Sequence, residues 1–180
     1  MKITFDFSVL SEKLRSNIVK ELTDENMLSL FATDESEVVR TSVAQNTNTS
    51  AETLAKLAED NDYFVRCAVA ENANTSVATL SKLAKDNDDC VRYAVAENAN
   101  TPAETLAELA EHKARNIRRA VAENHNTTAE MLSKLAEDEE YDVRYAVAEN
   151  ANTSAETLSK LAKDNKYYVR TSAEFALSKR

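Results

Sequence analysis

Apolar residues recur along this chain in short clusters that polar segments separate. Within residues 49–74, two apolar stripes have the three- and four-residue spacing of one helix face. The first stripe is Leu54, Leu57 and Ala58, and the second is Val65, Ala68 and Val69. The polar residues 59–62 lie between the stripes, where they end one helix and cap the next. The pattern therefore predicts two short helices joined by a polar turn.

The same pattern repeats with a fixed period. A Val-Arg dipeptide, once replaced by Ile-Arg, recurs at a constant spacing and ends at Arg40, Arg66, Arg92, Arg118, Arg144 and Arg170. The repeating units are 23–48, 49–74, 75–100, 101–126, 127–152 and 153–178, without an insertion. Helices this short are marginal alone, so each must pack against the neighbouring unit. The period predicts an all-α solenoid of six 26-residue helix-pair repeats. The second helix of each pair runs from three residues before the arginine to five after it.

The ends of a solenoid need polar caps. Residues 1–22 carry an i, i+4 apolar series, which predicts an amphipathic capping helix over the first unit. That series is Leu10, Leu14, Ile18 and Leu22. The last unit has Glu174 where the earlier units have alanine, which is typical of a solvent-facing end. We expect a capping segment, 1–22, followed by one solenoid domain, 23–180.

The helix ends have their own sequence signals. Thr49 followed by Glu52 is typical of a capping box, in which each side chain bonds the other's backbone N–H. The same pair recurs as Thr101/Glu104, Thr127/Glu130 and Thr153/Glu156. The chain has no glycine and one proline, so its turns use Asn and Asp. We expect the asparagines after each second helix to adopt the left-handed conformation that closes a helix.

Composition and charge exclude several kinds of site. The 31 acidic residues outnumber the 22 basic ones, and the net charge of −9 argues against a nucleic acid as the main partner. Two distant cysteines, Cys67 and Cys90, make neither a disulfide framework nor a metal site. Only two histidines are present, and no glycine-rich phosphate loop exists. Charged residues interrupt the apolar runs, and no run has the length of a membrane span, so the sequence predicts neither a signal peptide nor a membrane-spanning helix. We expect a cytoplasmic, monomeric, non-catalytic protein without cofactor or metal.

The consensus Leu-x-x-Leu-Ala-x-Asp-x5-Arg-x2-Val-Ala-x-Asn resembles the leucine-rich repeat variant and, more broadly, HEAT-type repeats. The resemblance covers all six repeating units, 23–178. It implies a right-handed superhelix and, for function, mainly protein binding. The family's turns are commonly Asn-Pro followed by Thr-Pro, whereas here they are Asn-Ala, and only Thr101-Pro102 keeps the second element. A founding member carries an iron–sulfur cluster on an N-terminal cysteine group. This chain has no cysteine before Cys67, so the cluster is not carried over.

Two ladders of polar residues follow the repeat. An aspartate lies six residues before most of the repeated arginines, at Asp34, Asp60, Asp86, Asp138 and Asp164. HEAT-type repeats pair an Asp and an Arg between neighbours at this position, so the resemblance implies inter-repeat ion pairs. A phosphate site is disfavoured, because these acids would compete for every arginine. An asparagine also recurs, at Asn46, Asn72, Asn98, Asn124 and Asn150. We expect it to bond unpaired helix-end groups across repeats.

The opposite face of each second helix is the candidate binding surface. Three residues before and one after the arginine stand Tyr63, Tyr93, Arg115, Arg119, Tyr141, Tyr145 and Tyr167. In HEAT-like stacks the second helix lines the concave surface, and Tyr and Arg are common in binding hot spots. An alanine four residues after the arginine is expected to keep this face shallow, as at Ala70. Stacking of the tyrosines on one another for stability is the alternative.

Charge on this face suggests two further features. Glu71, Glu97, Glu123 and Glu149 lie along one flank, either as a stripe for a cationic partner or paired with the ladder arginines. The fourth unit is instead basic, with His112, Lys113, Arg115, Arg118, Arg119 and His125. Two hypotheses remain open. One is a protein- or peptide-binding scaffold using the Tyr-lined face, and the other is a nucleic-acid-binding HEAT-like repeat protein using the basic fourth unit.

Overall fold

The computed structural model describes residue 7 and residues 9–180 of the chain. Within that part the chain forms thirteen α-helices and no strand. The helices are α1 Glu12–Glu21, α2 Glu25–Phe31, α3 Glu37–Gln45, α4 Ala51–Leu57, α5 Tyr63–Glu71, α6 Val77–Leu83, α7 Asp89–Glu97, α8 Ala103–Ala110, α9 Arg115–Glu123, α10 Ala129–Leu135, α11 Tyr141–Glu149, α12 Ala155–Leu161 and α13 Tyr167–Ser178.

Each predicted 26-residue unit contains two helices, which confirms the all-α repeat architecture. From α3 to α11 the second helix of every unit begins three residues before the repeated arginine and ends five after it. The last one, α13, continues to Ser178. The predicted apolar stripes are buried in both helices of a pair, as Leu54 and Val65 show with no exposed surface. The 3.6-residue period thus located the core correctly.

The chain forms two compact units, residues 1–79 and 80–180. In the first unit α3 packs against α1 and α5, and each first helix packs against the second helix that follows it. In the second unit α9 lies against α7 and α11, and α13 lies against α11 and α12. Successive second helices are therefore neighbours within each unit. Residues on one face of these helices come together across repeats.

The helix caps differ from the predicted capping box by one residue. Ser50, and not Thr49, caps α4 by accepting a hydrogen bond from Thr53 N at 3.2 Å. Thr49 is fully buried and donates to the Val43 carbonyl at 2.6 Å, so it closes the preceding helix. Glu52 pairs with Lys56 at 2.9 Å instead of reaching back to the backbone. Thr101, Thr127 and Thr153 repeat the buried bond of Thr49.

The prediction of left-handed asparagines is wrong. Asn72, which ends α5, has φ −71° and ψ 128°, and no described residue has a positive φ. An extended asparagine can turn its side chain toward the preceding repeat. Its Nδ2 donates to the Ala44 carbonyl at 2.6 Å and to the Asn46 carbonyl at 3.1 Å. These bonds satisfy helix-end carbonyls without any glycine.

The N-terminal helix α1 covers the first repeat, but not with the predicted stripe. Arg15, Ser16 and Val19 are its buried residues, whereas Leu14 is exposed. Arg15 precedes Arg40 by one residue less than a full repeat, so α1 occupies the position of a second helix one repeat earlier. A strict 26-residue period therefore does not reveal it. Residues 1–6 and 8 of the predicted capping segment lie outside the described residues.

Candidate functional site

The repeated arginines join consecutive repeats through a two-point hydrogen bond. Arg40 Nε donates to Asp60 Oδ2 at 2.6 Å and its Nη2 to Asp60 Oδ1 at 3.0 Å, while Nη1 donates to the Asp34 carbonyl of its own repeat at 2.8 Å. Fork-like pairs of this kind are the stronger ion pairs. The bidentate bond recurs in three further pairs, Arg15–Asp34, Arg118–Asp138 and Arg144–Asp164. We call each arginine–aspartate position that joins two neighbouring repeats a rung of the ladder. The expected ion pairs are confirmed for these four rungs, and the Arg15 rung extends the ladder into α1.

Burial and hydrogen bonding also tune the ladder electrostatically. The hydrogen bond from Arg144 lowers the pKa of Asp164, and burial only partly opposes this effect. Burial raises the pKa of Asp138, but the bonds from Arg118 and from the Glu140 N–H outweigh it and lower that pKa overall. Asp138 and Asp164 are thus ionised, and each is bonded to its arginine. Arg118 and Arg144 are therefore not free to bind a phosphate ligand.

One rung is different, because His112 stands where the fourth unit would have the ladder aspartate. Arg92 donates instead to the Asp86 carbonyl and to Asp89 in its own helix. Its buried Nε has no hydrogen-bond partner among the described residues. His112 Nε2 lies 3.6 Å from Asp89 Oδ1, and burial together with nearby Arg92 lowers the pKa of His112. The rung between the third and fourth repeats therefore lacks its bidentate bond.

The asparagine ladder has a structural role, as predicted. Asn124 and Asn150 each donate Nδ2 to two carbonyls of the preceding repeat, as Asn72 does, and Asn46 donates to two carbonyls of the capping segment. Two residues further on, Asn126 Nδ2 donates to the Ala99 and Thr101 carbonyls at 2.7 and 3.0 Å. Arg180 makes the equivalent bonds to Ala151 and Thr153 at the end of the described chain. These amides belong to the fold and not to a ligand site.

In residues 80–180 the predicted binding residues form a surface on α7, α9, α11 and α13. Tyr141 and Tyr145 are 46% and 40% exposed, and Tyr167 is 64% exposed. Lys166 Nζ lies 5.9 Å from the centre of the Tyr141 ring. Large aromatic area thus remains open to solvent in the last two repeats. We call Tyr93, Arg115, Arg119, Tyr141, Tyr145 and Tyr167 the second-helix surface.

In the N-terminal part of that surface, Tyr93 and Arg119 each have an acidic neighbour in their own helix. Tyr93 donates its hydroxyl to Glu97, and Arg119 Nε lies 3.5 Å from Glu123 Oε1. The bond to Glu97 and burial raise the pKa of Tyr93 more than the neighbouring Arg119 lowers it. Each of these pairs joins residues one turn apart in a single helix. Tyr93 is consequently half-buried, with its hydroxyl already occupied.

Arg115 also has acidic neighbours that the sequence did not reveal. Its guanidinium lies 3.5 Å from Glu140 and 3.9 Å from Asp142, at the start of the next second helix. With Arg118 on Asp138 and Arg119 near Glu123, the three arginines of the basic unit are all paired with acids. The neighbouring repeat therefore supplies the acids for Arg115 and Arg118, and Glu123 of the same helix supplies the acid for Arg119.

The glutamate flank does not pair with the ladder arginines, contrary to one interpretation of the sequence. Glu97 accepts from Tyr93, Glu149 accepts from Ser172, and Glu71 accepts from Cys67 Sγ at 3.7 Å. All three glutamates stay exposed. They therefore present carboxylates on the face of the second helices.

The alanines expected to keep this face shallow are not on it. Ala70, Ala96, Ala122 and Ala148 have no exposed surface. The position four residues after the arginine therefore belongs to the packed side of the helix, where a small residue allows close approach of the neighbouring elements.

In residues 1–79 the candidate binding residue Tyr63 packs against another aromatic side chain of its own helix. Tyr63 is half-buried and its ring centre lies 4.1 Å from that of Phe64, at an interplanar angle of 32°. Phe64 is 58% exposed although the sequence pattern did not single it out. Phe64 lies two residues before the ladder arginine Arg66, and this position on the helix indicates a surface residue.

Metal clusters and membrane-spanning helices do not occur in the part of the chain that the structure describes. No group of three or more His, Cys, Asp or Glu side chains there is placed to hold a metal ion. No helix among the same residues has the length and apolar character that crossing a bilayer requires. A cavity of about 540 Å³ in residues 80–180 lies beside α8 and α10 and is lined by charges of both signs, including Lys113, Lys134 and Glu139.

Comparison with known proteins supports the repeat fold. A solved structure described as a leucine-rich repeat variant with a novel repetitive structural motif is 28% identical, with a TM-score of 0.73, and the match covers 95% of this chain and 68% of that one. The Escherichia coli protein YibA is 21% identical, with a TM-score of 0.61 and coverage of 99% and 77%, and supports the fold alone. No family model and no curated protein sequence matches. The chain is a helical repeat protein similar to the leucine-rich repeat variant, as its consensus predicted.

Proposed function

We propose that this helical repeat protein is a non-catalytic scaffold that binds a protein or peptide through its second-helix surface. The observation that carries the proposal is the exposure of Tyr141, Tyr145 and Tyr167 on helices whose apolar stripes are buried. The ladder arginines and asparagines hold the repeats together without these rings. The exposed aromatic area is thus available to a partner.

The chemistry of the surface fits a peptide with apolar anchors. Tyr offers apolar contact area and a hydroxyl, and it loses little conformational entropy when it is fixed. Exposed Glu97 and Glu149 border the same helices and favour basic groups on the partner. The partner we expect is therefore an extended or helical segment with aromatic or aliphatic anchors and flanking Lys or Arg residues. An acid that reaches Arg115 must compete with Glu140 and Asp142.

Nucleic-acid binding is the weaker alternative. Phosphate binding needs arginines and lysines that can exchange counterions for phosphate. Arg115, Arg118 and Arg119 each already have an acid within 3.5 Å or less. We therefore propose a protein or peptide partner and not a nucleic acid. The proposal also includes a single repeat domain over residues 23–180, a monomeric state and a cytoplasmic location.

The test uses a peptide selected from a random 12-residue display library on the full-length chain. Affinity of this synthetic peptide is measured by calorimetry for the native chain and for the double variant Arg115→Ala, Tyr145→Ala. We choose alanine and not the charge-reversing glutamate at position 115, because a glutamate there would be repelled by Glu140 and Asp142. We expect binding to be lost while the melting temperature changes little, since both side chains are largely exposed.

Lys163→Ala is the matched control for the charge change, since Lys163 is exposed in the turn before α13 and has no ion pair with a described residue. It should bind the peptide like the native chain. A double variant that keeps its affinity places the binding site elsewhere and refutes the proposal.

A further inference from the structure

A groove in residues 1–79 lies outside the second-helix surface. A cavity of about 380 Å³ runs along α1 and α3 and reaches α5. Its lining residues are Ser16, Lys20, Glu37, Val38, Thr41, Ser42, Gln45 and Phe64. A second cavity of about 220 Å³ shares Lys20, Ser42 and Gln45 with it and continues toward residues 46–48. Together they have the size of a small-ligand or peptide-side-chain site.

One end of the groove is apolar. Val38 and Phe64 are 43% and 58% exposed, and each lies two residues before the ladder arginine of its helix. Clustered exposed apolar side chains beside a cavity are typical of interaction sites. In the neighbouring helix α1 the equivalent residue is Lys13, so the apolar contact ends there. This end can hold one aliphatic or aromatic side chain.

The other end contains polar side chains that the fold does not use. Lys20, Gln45 and Thr41 make no side-chain hydrogen bond or ion pair with any other described residue. On later second helices the residues at the positions of Thr41 and Gln45 bond each other, as Cys67–Glu71 and Tyr93–Glu97 do. The floor is already satisfied, because Ser16 and Ser42 share a buried hydrogen bond of 2.7 Å. The hydrogen-bond donors of Lys20, Thr41 and Gln45 are therefore suited to a ligand that carries hydrogen-bond acceptors.

Charge gives the groove a direction. Asn46, at the end of α3, donates to the Val19 carbonyl near the end of α1, so the two helices run parallel. Lys20 and Gln45 are consequently at one end, and Glu37 and Val38 at the other. Glu37 and Gln45 are eight residues apart on a helix, about 12 Å. A carboxylate is favoured at the Lys20 end and disfavoured at the Glu37 end.

We propose that this groove binds a peptide segment with a bulky apolar side chain against Val38 and Phe64 and a carboxylate at Lys20. An extended strand spans about 3.3 Å per residue, so the two groups would stand about three residues apart. The carboxylate is an acidic side chain of this segment. The groove shares no residue with the second-helix surface, so this proposal and the proposed function can fail separately.

The test titrates short peptides into the isotope-labelled full chain and follows its backbone amide NMR signals. The probe is acetyl-Phe-Ala-Ala-Asp-amide, and the matched peptides have Asn in place of Asp or Ala in place of Phe. We expect millimolar binding of the probe, with shifts at Lys20, Val38, Gln45 and Phe64. Both matched peptides should bind at least about tenfold more weakly, as for the loss of one charge-assisted bond or one apolar anchor. Acetyl-Phe-Ala-Ala with a free carboxyl end should bind more weakly than the probe, and equal or tighter binding would overturn the assignment to an acidic side chain.

Two substitutions of exposed residues test which end of the groove binds each group of the peptide. Lys20→Gln should abolish the preference for Asp over Asn, and Phe64→Ser should abolish the preference for Phe over Ala. Lys56→Gln, the same charge change on α4, should preserve both preferences. Absence of shifts at these residues, or equal binding of all the peptides, would overturn the proposal.

Discussion

The rungs made by Arg118 and Arg92 differ although the two arginines occupy the same position in consecutive repeats. Arg118 donates to both carboxylate oxygens of Asp138, at 2.6 and 2.9 Å, and to the His112 carbonyl at 2.9 Å. Arg92 keeps the equivalent carbonyl bond, but its acid partner among the described residues is Asp89 of its own helix. One rung therefore crosses to the next repeat and the other does not.

The difference shows that the ladder aspartate has two separable roles. Asp138 Oδ1 accepts the Glu140 N–H at 2.9 Å and so shapes the turn, besides binding Arg118. His112 Nδ1 accepts the Ala114 N–H at 3.0 Å, so histidine retains the turn. It supplies no carboxylate for the preceding arginine. The repeat can thus keep its backbone while it loses a link to its neighbour.

Removal of Arg118 should have the largest effect on stability. In Arg118→Ala the Asp138 side chain, only 7% exposed, would keep its charge without the arginine that pairs with it. We expect the free energy of unfolding to fall by about 3 kcal/mol, as for a broken buried pair. Urea denaturation measures this loss. Arg115→Ala, which removes an exposed pair, should cost less than about 1 kcal/mol, and equal losses would contradict the importance of the rung.

Restoration of the missing rung should have an intermediate effect. His112→Asp places a carboxylate where Arg92 can reach it, and we expect a gain of about 1 kcal/mol, since charge-assisted bonds are partly offset by burial. His112→Asn is the matched variant, because its amide oxygen can retain the turn without adding charge. Asn should give no gain in urea denaturation. A gain with Asn equal to that with Asp would assign the effect to the turn instead.

The smallest effect is a dependence on pH that belongs to the broken rung. Burial and the neighbouring Arg92, Lys113 and Arg118 lower the pKa of His112 from its ordinary value of 6.5, against the attraction of Asp89. Below pH 6.5 the unfolded chain therefore binds more protons than the folded chain, and stability falls as the pH falls. We expect a loss below about 1 kcal/mol between pH 7 and 5.5. Urea denaturation of His112→Asn should show a smaller loss, and an equal loss would contradict this assignment.

The regular rungs behave differently with pH. The pKa values of Asp138 and Asp164 are lowered, so their contribution is present at neutral pH and is lost only as the pH falls below about 4. The two kinds of rung are thus separable by pH as well as by mutation.

The sequence predicted the helices and the ladder because the 26-residue period recurs without an insertion, so the helix pair and most of the arginine–aspartate pairs recur with it. It missed what depends on one-residue detail. Thr49 and Ser50 can both cap a helix, and only the packed structure shows that Thr49 bonds the preceding helix instead. Arg15 escaped notice because its distance from Arg40 along the chain is one residue shorter than the repeat.

The candidate site was less predictable than the fold. Exposure of Tyr141 and Tyr145 follows from helical periodicity. The acids around Arg115 do not, because Glu140 and Asp142 come from the next repeat and their approach depends on how the two repeats pack. The groove beside Lys20 combines residues of three helices, and no local pattern indicates it.

The most direct test of the ladder is a double-mutant cycle between positions 92 and 112, measured by urea denaturation. Arg92→Ala in the native chain should cost about 1 kcal/mol, because its remaining bonds lie within its own repeat. In the His112→Asp background the same change should cost about 3 kcal/mol, since it would leave a buried carboxylate unpaired. The account therefore predicts a coupling energy of about 2 kcal/mol. Equal costs in the two backgrounds would contradict the conclusion that an aspartate at this position links neighbouring repeats.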